Sequence, residues 1–236
     1  EADLVVIALP PLATAAILPS LASFCNDHAI ITDVASVKGN VVEAVEKLPA
    51  DFSSRFVPGH PIAGSEKSGY LASNAGLFAK RNIILTPLAN NSSDSLRLVS
   101  AMWRALDANM LAMSVKHHDE VLAATSHLPH LLAYSIVDVL AKQEKRGDIF
   151  RYAAGGFADF SRLASSDVRM WSDIFVANRT ASAEVLGAMI AELQALKTAL
   201  ESSPDERLST DLRTLFTHAK ETREAFINTH FKPTAN

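Results

Sequence analysis

The order of apolar and polar positions divides the chain into two regions. In the first, short aliphatic runs such as residues 3–9 and 29–33 alternate with segments whose apolar residues recur at helical spacing. Continuous β-branched and aliphatic runs are typical of parallel strands covered on both faces. Pro11 suits the first turn of a helix, so a helix is predicted from there to about residue 24. Strands that alternate with helices predict an α/β, doubly wound, mostly parallel sheet.

From about residue 114 the apolar positions follow helical spacing almost to the end of the chain. A stripe from Val185 to Leu200 is close to a heptad pattern, which indicates either core packing or a helix–helix dimer seam. Ser203-Pro204-Asp205-Glu206 is a capping box and predicts one more helix. We therefore predict an α/β domain over residues 1–113 and an all-helical domain over residues 114–236. The other predicted strands are 56–57, 82–86 and 108–113, and the helices between them are 41–48 and 96–106.

Composition excludes several classes of protein. The 236 residues carry 22 basic and 26 acidic side chains and no basic run, which argues against a nucleic-acid partner. The single cysteine, Cys25, allows no disulfide framework and fits a reducing compartment. An uncharged run at residues 4–26 has the length of a membrane span, but three prolines break it and no basic segment precedes it. We therefore expect a cytoplasmic protein without a membrane partner.

A stretch rich in turn-forming residues follows the predicted strand at 56–57. Residues 59–69 are Gly-His-Pro-Ile-Ala-Gly-Ser-Glu-Lys-Ser-Gly. We predict a loop that presents His60, a hydroxyl and a carboxylate just beyond a strand's carboxyl end, where open α/β sheets bind ligands. A phosphate-binding loop is excluded because Ser65-Glu66 stands where that motif has Gly-Lys.

This loop resembles the signature loop of the prephenate and arogenate dehydrogenases of tyrosine biosynthesis. Three further segments agree in the same order, namely Thr-Asp-Val-Ala-Ser-Val-Lys at 32–38, Ser-His-Leu-Pro-His at 126–130 and Gly-Gly-Phe-Ala-Asp-Phe-Ser-Arg at 155–162. The resemblance covers nearly the whole chain. It implies a Rossmann-like dinucleotide-binding domain followed by a helical substrate and dimerisation domain. It also implies an enzyme that converts prephenate to 4-hydroxyphenylpyruvate with a nicotinamide cofactor.

The resemblance also implies residues for the reaction. His60 matches the family's catalytic histidine, and a neutral imidazole is a natural acceptor for the substrate's hydroxyl proton. Ser36 is expected to orient His60 or the hydroxyl near the nicotinamide, although without the motif it would be a helix cap. The cofactor is expected to be NAD, with NADP as the alternative. The predicted cofactor contacts are Pro10, Asp33 and Ser36.

Arg162 is predicted to hold a substrate carboxylate, because a guanidinium can hold a carboxylate by two parallel hydrogen bonds. By resemblance, Glu66 forms an ionic network with Asp159 and Arg162, and Ser126 and His130 contact the substrate side chain. Trp171 matches a tryptophan near the family's substrate gate, although a helical tryptophan is more often part of a core. The predicted substrate-binding residues are Ser65, Glu66, Ser126, His130, Gly155, Asp159, Arg162 and Trp171.

Several alternatives stay open at this point. A metal site near His127 and His130, with His117-His118-Asp119 just upstream, is disfavoured because no acidic residue stands at ligand spacing to the first two. The chain has no Gly-x-Gly, so we expect the family's first βαβ unit to precede Asp3 and this chain alone to bind cofactor poorly. The substrate could be prephenate, arogenate or both. A non-catalytic, dimerising fragment is the alternative of another class.

Overall fold

The computed structural model describes residues 2–64, 71, 73–143 and 146–230. The strands are β1 (Leu4–Ile7), β2 (Ile30–Asp33), β3 (Phe56–Val57), β4 (Gly59–Pro61), β5 (Asn82–Leu85) and β6 (Asn109–Ala112). The helices are α1 (Pro11–Phe24), α2 (Gly39–Val45), α3 (Ala50–Arg55), α4 (Ser93–Ala105), α5 (Val115–Leu122), α6 (Leu128–Ala141), α7 (Arg146–Arg151), α8 (Gly155–Ser161), α9 (Val168–Ala177), α10 (Arg179–Ser202) and α11 (Asp205–His230). A π-helical turn (Ala123–His127) joins α5 to α6, and a 3₁₀ turn (Arg162–Ser165) follows α8.

The strands form two small sheets. β1, β2 and β3 pair in parallel in that order. In the other sheet β5 pairs with β6 in parallel and with β4 in antiparallel, which places His60 opposite Ile84. The predicted mostly parallel, Rossmann-like sheet followed by helices is confirmed. The prediction of a loop at His60 is wrong, because Gly59–Pro61 pairs with β5 and forms a short strand.

A buried aliphatic core explains why the first strands and helices form. One apolar cluster contains Leu18 of α1, Ile31 of β2, Val45 of α2 and Phe56 of β3, and all four side chains are completely buried. Fully burying a side chain of this kind stabilises a fold by about 1.5 to 3 kcal/mol. Because this core packs against β2 and against Ile7 of β1, polar groups at the carboxyl ends of these strands are held in fixed places.

α5, the π-helical turn and α6 follow one another without a break in helical structure. Within that turn the amide of Leu128 donates to the carbonyl of Ala123, five residues earlier, rather than four. Pro129 follows immediately and has no N–H to donate to a carbonyl of the preceding turn. A π-helical turn is a common way for a helix to change its hydrogen bonding, and such turns are frequent at functional sites. This one carries the buried His127.

By their internal contacts, residues 1–185 form one compact unit and residues 186–236 form another. The predicted boundary at residue 113 lies in the first unit, between β6 and α5, and stays a prediction. In the part of the chain that the structure describes, no helix has both the length and the apolar character of a membrane span.

Candidate active site

A buried ion pair holds the backbone next to His60. Lys38 and Asp33 have fully buried side chains and contact each other through Nζ and Oδ2. Lys38 Nζ also donates to the carbonyl of Gly59 at 2.6 Å, and Asp33 Oδ1 accepts from the amide of Gly59 at 3.1 Å. Burial lowers the pKa of Lys38 from 10.5, and the negative charge of Asp33 opposes that fall. Both backbone polar groups of Gly59 are therefore fixed by one pair of charges.

Gly59 is itself required at this position by close packing. A Cβ there would lie 3.1 Å from the carbonyl oxygen of Asp33 and 3.3 Å from the side chain of Leu85. Backbone at the end of β2 cannot move aside easily, so a side chain at residue 59 would separate β4 from β2. The next residue, His60, is thus placed by the sheet and by the ion pair together.

His60 is the first member of a buried chain of hydrogen bonds. Its Nδ1 lies 2.9 Å from Nε2 of His118, and Nδ1 of His118 lies 2.7 Å from Oδ1 of Asp119. Burial holds the pKa of His60 well below its usual 6.5, and the neighbouring His118, Lys38 and His127 lower it further. At neutral pH His60 is therefore an uncharged imidazole, which is the form that accepts a proton.

Asp119 binds the loop before α2 as well as His118. Its Oδ1 accepts from the amide of Lys38 at 2.9 Å, and its Oδ2 accepts from the amide of Gly39 at 2.8 Å. Burial alone raises the pKa of Asp119, but the hydrogen bonds from His118, Lys38 and Gly39 outweigh it and lower the pKa. Asp119 is therefore a carboxylate whose two oxygens both accept hydrogen bonds.

Asn178 extends this network to the π-helical turn. Its Nδ2 donates to the carbonyl of Asp119 at 2.8 Å and lies 3.2 Å from Nδ1 of His127. Burial lowers the pKa of His127 to about 4, although Asp119 opposes the shift. The middle of α5, the π-helical turn and the end of α9 are thus tied together by polar groups inside the protein.

His130 and Trp171 form a stacked pair beside this network. Their ring centroids are 3.6 Å apart with an interplanar angle of 21°. His130 Nδ1 donates to the carbonyl of Ser126 at 2.9 Å, and burial lowers the pKa of His130. Neutral His130 therefore keeps Nε2 as a free acceptor. Trp171 is 7% exposed, and its Nε1–H has no hydrogen-bond partner among the described residues.

The other predicted site residues lie at several places around these groups. Ser36 is half-buried in the loop between β2 and α2, and His60 Nδ1 contacts His118 rather than Ser36. Pro10 is exposed and immediately precedes α1. Asp33 is wholly buried against Lys38 and Gly59, which favours a role in holding β4 over the predicted cofactor contact. Ser65 and Glu66 lie outside the described residues.

The predicted carboxylate-binding segment lies on the helical side of the same unit. Gly155 and Asp159 are exposed on α8, and Arg162 begins the 3₁₀ turn that follows it. Both elements pack against α6, the helix of His130. Since Glu66 lies outside the described ranges, its predicted network with Asp159 and Arg162 stays a prediction. All roles assigned to individual site residues likewise stay predictions at this point.

Sequence reasoning missed four residues that the structure brings to His60 or its neighbours. Lys38 belongs to the motif at residues 32–38 but has no role in the prediction, and His118 and Asp119 enter it only as possible metal ligands. Asn178 also received no role, although it belongs to an Asn-Arg-Thr triplet. The useful signal was the His118-Asp119 dipeptide, because a carboxylate beside a histidine orients an imidazole as readily as it binds a metal. Within the described ranges, no three His, Cys, Asp or Glu side chains are grouped as a metal ion requires.

Comparison with known families matches both halves of the chain. The family profile described as "Prephenate dehydrogenase, nucleotide-binding domain" matches residues 1–112. The profile described as "Prephenate dehydrogenase, dimerization domain" matches residues 114–214. Together they account for most of the sequence.

Individual relatives agree with these profiles. A cyclohexadienyl dehydrogenase of Zymomonas mobilis is 37% identical over 228 residues, which are 95% of this chain and 74% of that protein. A prephenate dehydrogenase of Bacillus subtilis is 36% identical over 211 residues, 88% of this chain and 56% of that protein. The crystal structure of prephenate dehydrogenase from Aquifex aeolicus, in complex with hydroxyphenyl propionate and NAD+, is 34% identical. It has a TM-score of 0.83 and covers 93% of this chain and 76% of its own.

Proposed function

The chain belongs to the prephenate dehydrogenase family of NAD-dependent oxidoreductases, and from that premise we propose that it decarboxylates prephenate oxidatively to 4-hydroxyphenylpyruvate. The observation that carries this proposal is His60, a buried and uncharged imidazole that follows Gly59, whose amide is bound by Asp33 at the end of β2. Prephenate is a cyclohexadiene with a ring hydroxyl and a ring carboxylate. Removal of hydride from the hydroxyl-bearing carbon expels carbon dioxide and leaves an aromatic ring, which supplies the driving force.

In this reaction His60 accepts the proton of the substrate's hydroxyl. A positioned base of this kind contributes roughly 10²- to 10⁴-fold to a rate. The ion pair of Asp33 and Lys38 keeps the base in place through the backbone of Gly59. Because His60 is 9% exposed, little water competes for its free nitrogen.

The residues at the carboxyl ends of β1 and β2 fit a dinucleotide. α1 begins there without a side-chain cap and without an acidic residue in its first turn. Pro10 and Pro11 have no N–H, so the amides of Leu12 and Ala13 are the donors that this end of the helix could offer to an anion. Pro10 and Ser36 border this edge and are the proposed contacts. When bound, NAD supplies the acceptor for the hydride. NADP and a role for Asp33 at this site remain alternatives to test.

Substrate carboxylates require cationic or hydrogen-bonding partners. We assign one carboxylate to Arg162, whose guanidinium can bind it through two parallel hydrogen bonds. We assign the side chain of the substrate to His130 and Ser126, and its packing to Trp171, which His130 stacks upon. Ser65, Glu66, Gly155 and Asp159 complete the proposed substrate-binding set.

We further propose that the chain forms a homodimer through its C-terminal helices. A profile of the family's dimerisation domain matches residues 114–214. In the second unit, several large apolar side chains of α10 and α11 are half exposed or more, namely Ile190, Leu193, Leu200 and Phe216. Contact with a second copy of the chain would remove apolar side chains of this kind from water. Sedimentation at micromolar concentration tests this, and a monomer there would remove the dimer. A cytoplasmic location stays a prediction.

The test of the activity is reduction of NAD or NADP by this chain with prephenate and with arogenate. The same assay is run on the chain extended by a glycine-rich βαβ unit of the family type. We expect the extended chain to reduce NAD with prephenate and this chain alone to show little or no reduction. In the extended chain, His60→Asn should lower kcat by on the order of a hundredfold with little change in KM. His117→Asn, an exposed histidine on α5, is the matched control. If neither the chain nor its extended form, both folded, reduces NAD or NADP with either substrate, the proposal is wrong. The alternative of a non-catalytic, dimerising fragment would then replace it.

A second candidate, an enzyme that accepts arogenate as well, is favoured by the hydrogen bonding of His130. Its Nδ1 donates to Ser126, so neutral His130 offers Nε2 only as an acceptor. An acceptor suits the ammonium of arogenate, whereas the ketone of prephenate needs a donor, which His130 becomes when protonated. Burial lowers the pKa of His130, so protonation occurs below pH 6.5. The ratio of kcat/KM for prephenate over arogenate should therefore rise as pH falls, and a ratio independent of pH would remove this role.

A further inference from the structure

We propose that His118 and Asp119 form a positioning pair that sets the tautomer of His60, and that His118 accepts the Nδ1 proton of His60 once His60 has deprotonated the substrate. This inference rests on the proposed function and adds two residues to it. The three side chains are joined by contacts of 2.9 Å between the histidine rings and 2.7 Å between His118 and the carboxylate. The second histidine is completely buried, so no solvent molecule reaches its nitrogens.

The tautomer follows from the carboxylate end of the chain. Asp119 only accepts hydrogen bonds, since Oδ1 faces the amide of Lys38 and His118, and Oδ2 faces the amide of Gly39. His118 Nδ1 must therefore carry a proton, and in a neutral ring its Nε2 is then an acceptor. That acceptor faces His60 Nδ1, which must carry a proton in turn. The one unprotonated nitrogen left on His60 is Nε2, the atom that a general base uses.

The same chain provides a destination for the proton. When the substrate's O–H bond breaks, an N–H bond forms at Nε2 of His60. The proton on Nδ1 of His60 then moves across 2.9 Å to Nε2 of His118, so His60 returns to a neutral ring with the opposite tautomer. His118 becomes an imidazolium that is paired with the carboxylate of Asp119. The positive charge thereby moves from His60, where Lys38 and His127 disfavour it, to His118, which contacts the carboxylate of Asp119.

The surrounding structure fixes Asp119 firmly enough for this role. Its oxygens bind the amides of Lys38 and Gly39 in the loop before α2, and Asn178 binds its backbone carbonyl. A Cβ on Gly39 would lie 2.8 Å from Asp119 Oδ2, so only glycine lets the carboxylate approach this closely. Asp119 is thus held from α5, from the loop before α2 and from the end of α9.

Substitution of His118 by glutamine separates positioning from proton transfer. The amide of His118→Gln can accept from His60 and donate to Asp119, but it cannot bind a proton. We expect the KM of this variant to stay near that of the wild type and kcat to fall roughly tenfold or more. In His118→Gln, and in Asp119→Asn, the acid limb of the pH profile of kcat/KM should move to lower pH. The reason is that the positive charge of protonated His60 can then no longer be passed to an imidazolium paired with a carboxylate, so buried His60 binds a proton less readily.

The matched controls are His117→Gln and Glu120→Gln, which change exposed neighbours on the same helix and should leave the profile unchanged. Equal loss of rate at every pH, with an unmoved acid limb, would mean a merely structural role and would overturn the inference. Wild-type rates in His118→Gln would do the same.

A second measurement does not depend on turnover, so its result is separate from the fate of the proposed function. Nitrogen-15 NMR of the histidine-labelled chain reports which ring nitrogen carries the proton. We expect the Nδ1–H tautomer for His60 in the wild type and a mixture of tautomers in Asp119→Asn. An Nε2–H tautomer in the wild type would refute the pair's positioning role even if no cofactor were reduced.

Discussion

Removal of Lys38 is expected to destabilise the protein far more than removal of any exposed lysine. Lys38→Met deletes the contact with Asp33 and the 2.6 Å hydrogen bond to the carbonyl of Gly59. It leaves the carboxylate of Asp33 in the interior without a counter-ion, and breaking a buried pair in this way costs about 3 to 5 kcal/mol. Asp33 keeps the amides of Ala35 and Gly59 as donors, so we expect the lower end, about 3 kcal/mol.

Equilibrium unfolding in urea measures this loss, with the slope of the transition checked for constancy. Lys47→Met is the matched control, because Lys47 pairs with Glu43 on the surface, where both side chains are about 70% exposed. An exposed pair of this kind contributes little to stability, because solvent and salt screen the two charges. Asp33→Asn combined with Lys38→Met removes both charges, so the double variant should lose at least ~1 kcal/mol less than the sum of the single variants. A loss below 1 kcal/mol for Lys38→Met, or strict additivity, would refute the reasoning.

Three further predictions concern other parts of the site. Gly39→Ala should destabilise the fold by about 1 to 3 kcal/mol, since its Cβ would meet Asp119 at 2.8 Å, whereas Gly187→Ala in open space on α10 should stabilise by about 0.5 to 1 kcal/mol; urea unfolding compares them. Arg162→Gln should weaken substrate binding by roughly 2 to 4 kcal/mol if bound substrate buries the pair, and an unchanged KM would argue against that role. His127 has a folded pKa of about 4 against about 6.5 unfolded, so it favours the folded state above pH 6.5 and loses that contribution, about 3 kcal/mol, as pH falls to 4. Unfolding measured from pH 7 to pH 4 should show a smaller loss for His127→Asn than for the wild type.

Local patterns in the sequence predicted the first strands and helices well. α1 begins at Pro11 and ends at Phe24, as proline punctuation and apolar spacing indicated. β3 is only two residues long and was still recognised, because its apolar pair precedes Pro58. α3 was not predicted, since Ala50–Arg55 contains too few residues to display a helical period. β4 was missed because glycine and proline are poor strand formers, and its pairing with β5 is decided by residues more than twenty positions away.

The contacts that define the candidate site are mostly of long range and left little trace in the sequence. Asp119 binds the amides of Lys38 and Gly39 across 81 and 80 residues, and Asn178 binds the carbonyl of Asp119 across 59. Backbone amides have no sequence signature, so no pattern could have named Asp119 as their partner. His60 was identified because its motif is distinctive, whereas the residues that orient it are distinguished only by where the fold places them.

The ion pair that holds Gly59 also determines how the site responds to salt. Lys38 and Asp33 are fully buried, so mobile ions cannot approach them, and added salt leaves their attraction almost unchanged. Surface pairs such as Lys80 with Asp107 are open to solvent, so added salt weakens their attraction. The electrostatic screening length in water is about 10 Å at 0.1 M salt. The geometry around His60 should therefore be the same in dilute buffer and in concentrated salt. Any sensitivity of the enzyme to ionic strength would then arise where its charged substrate and cofactor first meet the protein's surface.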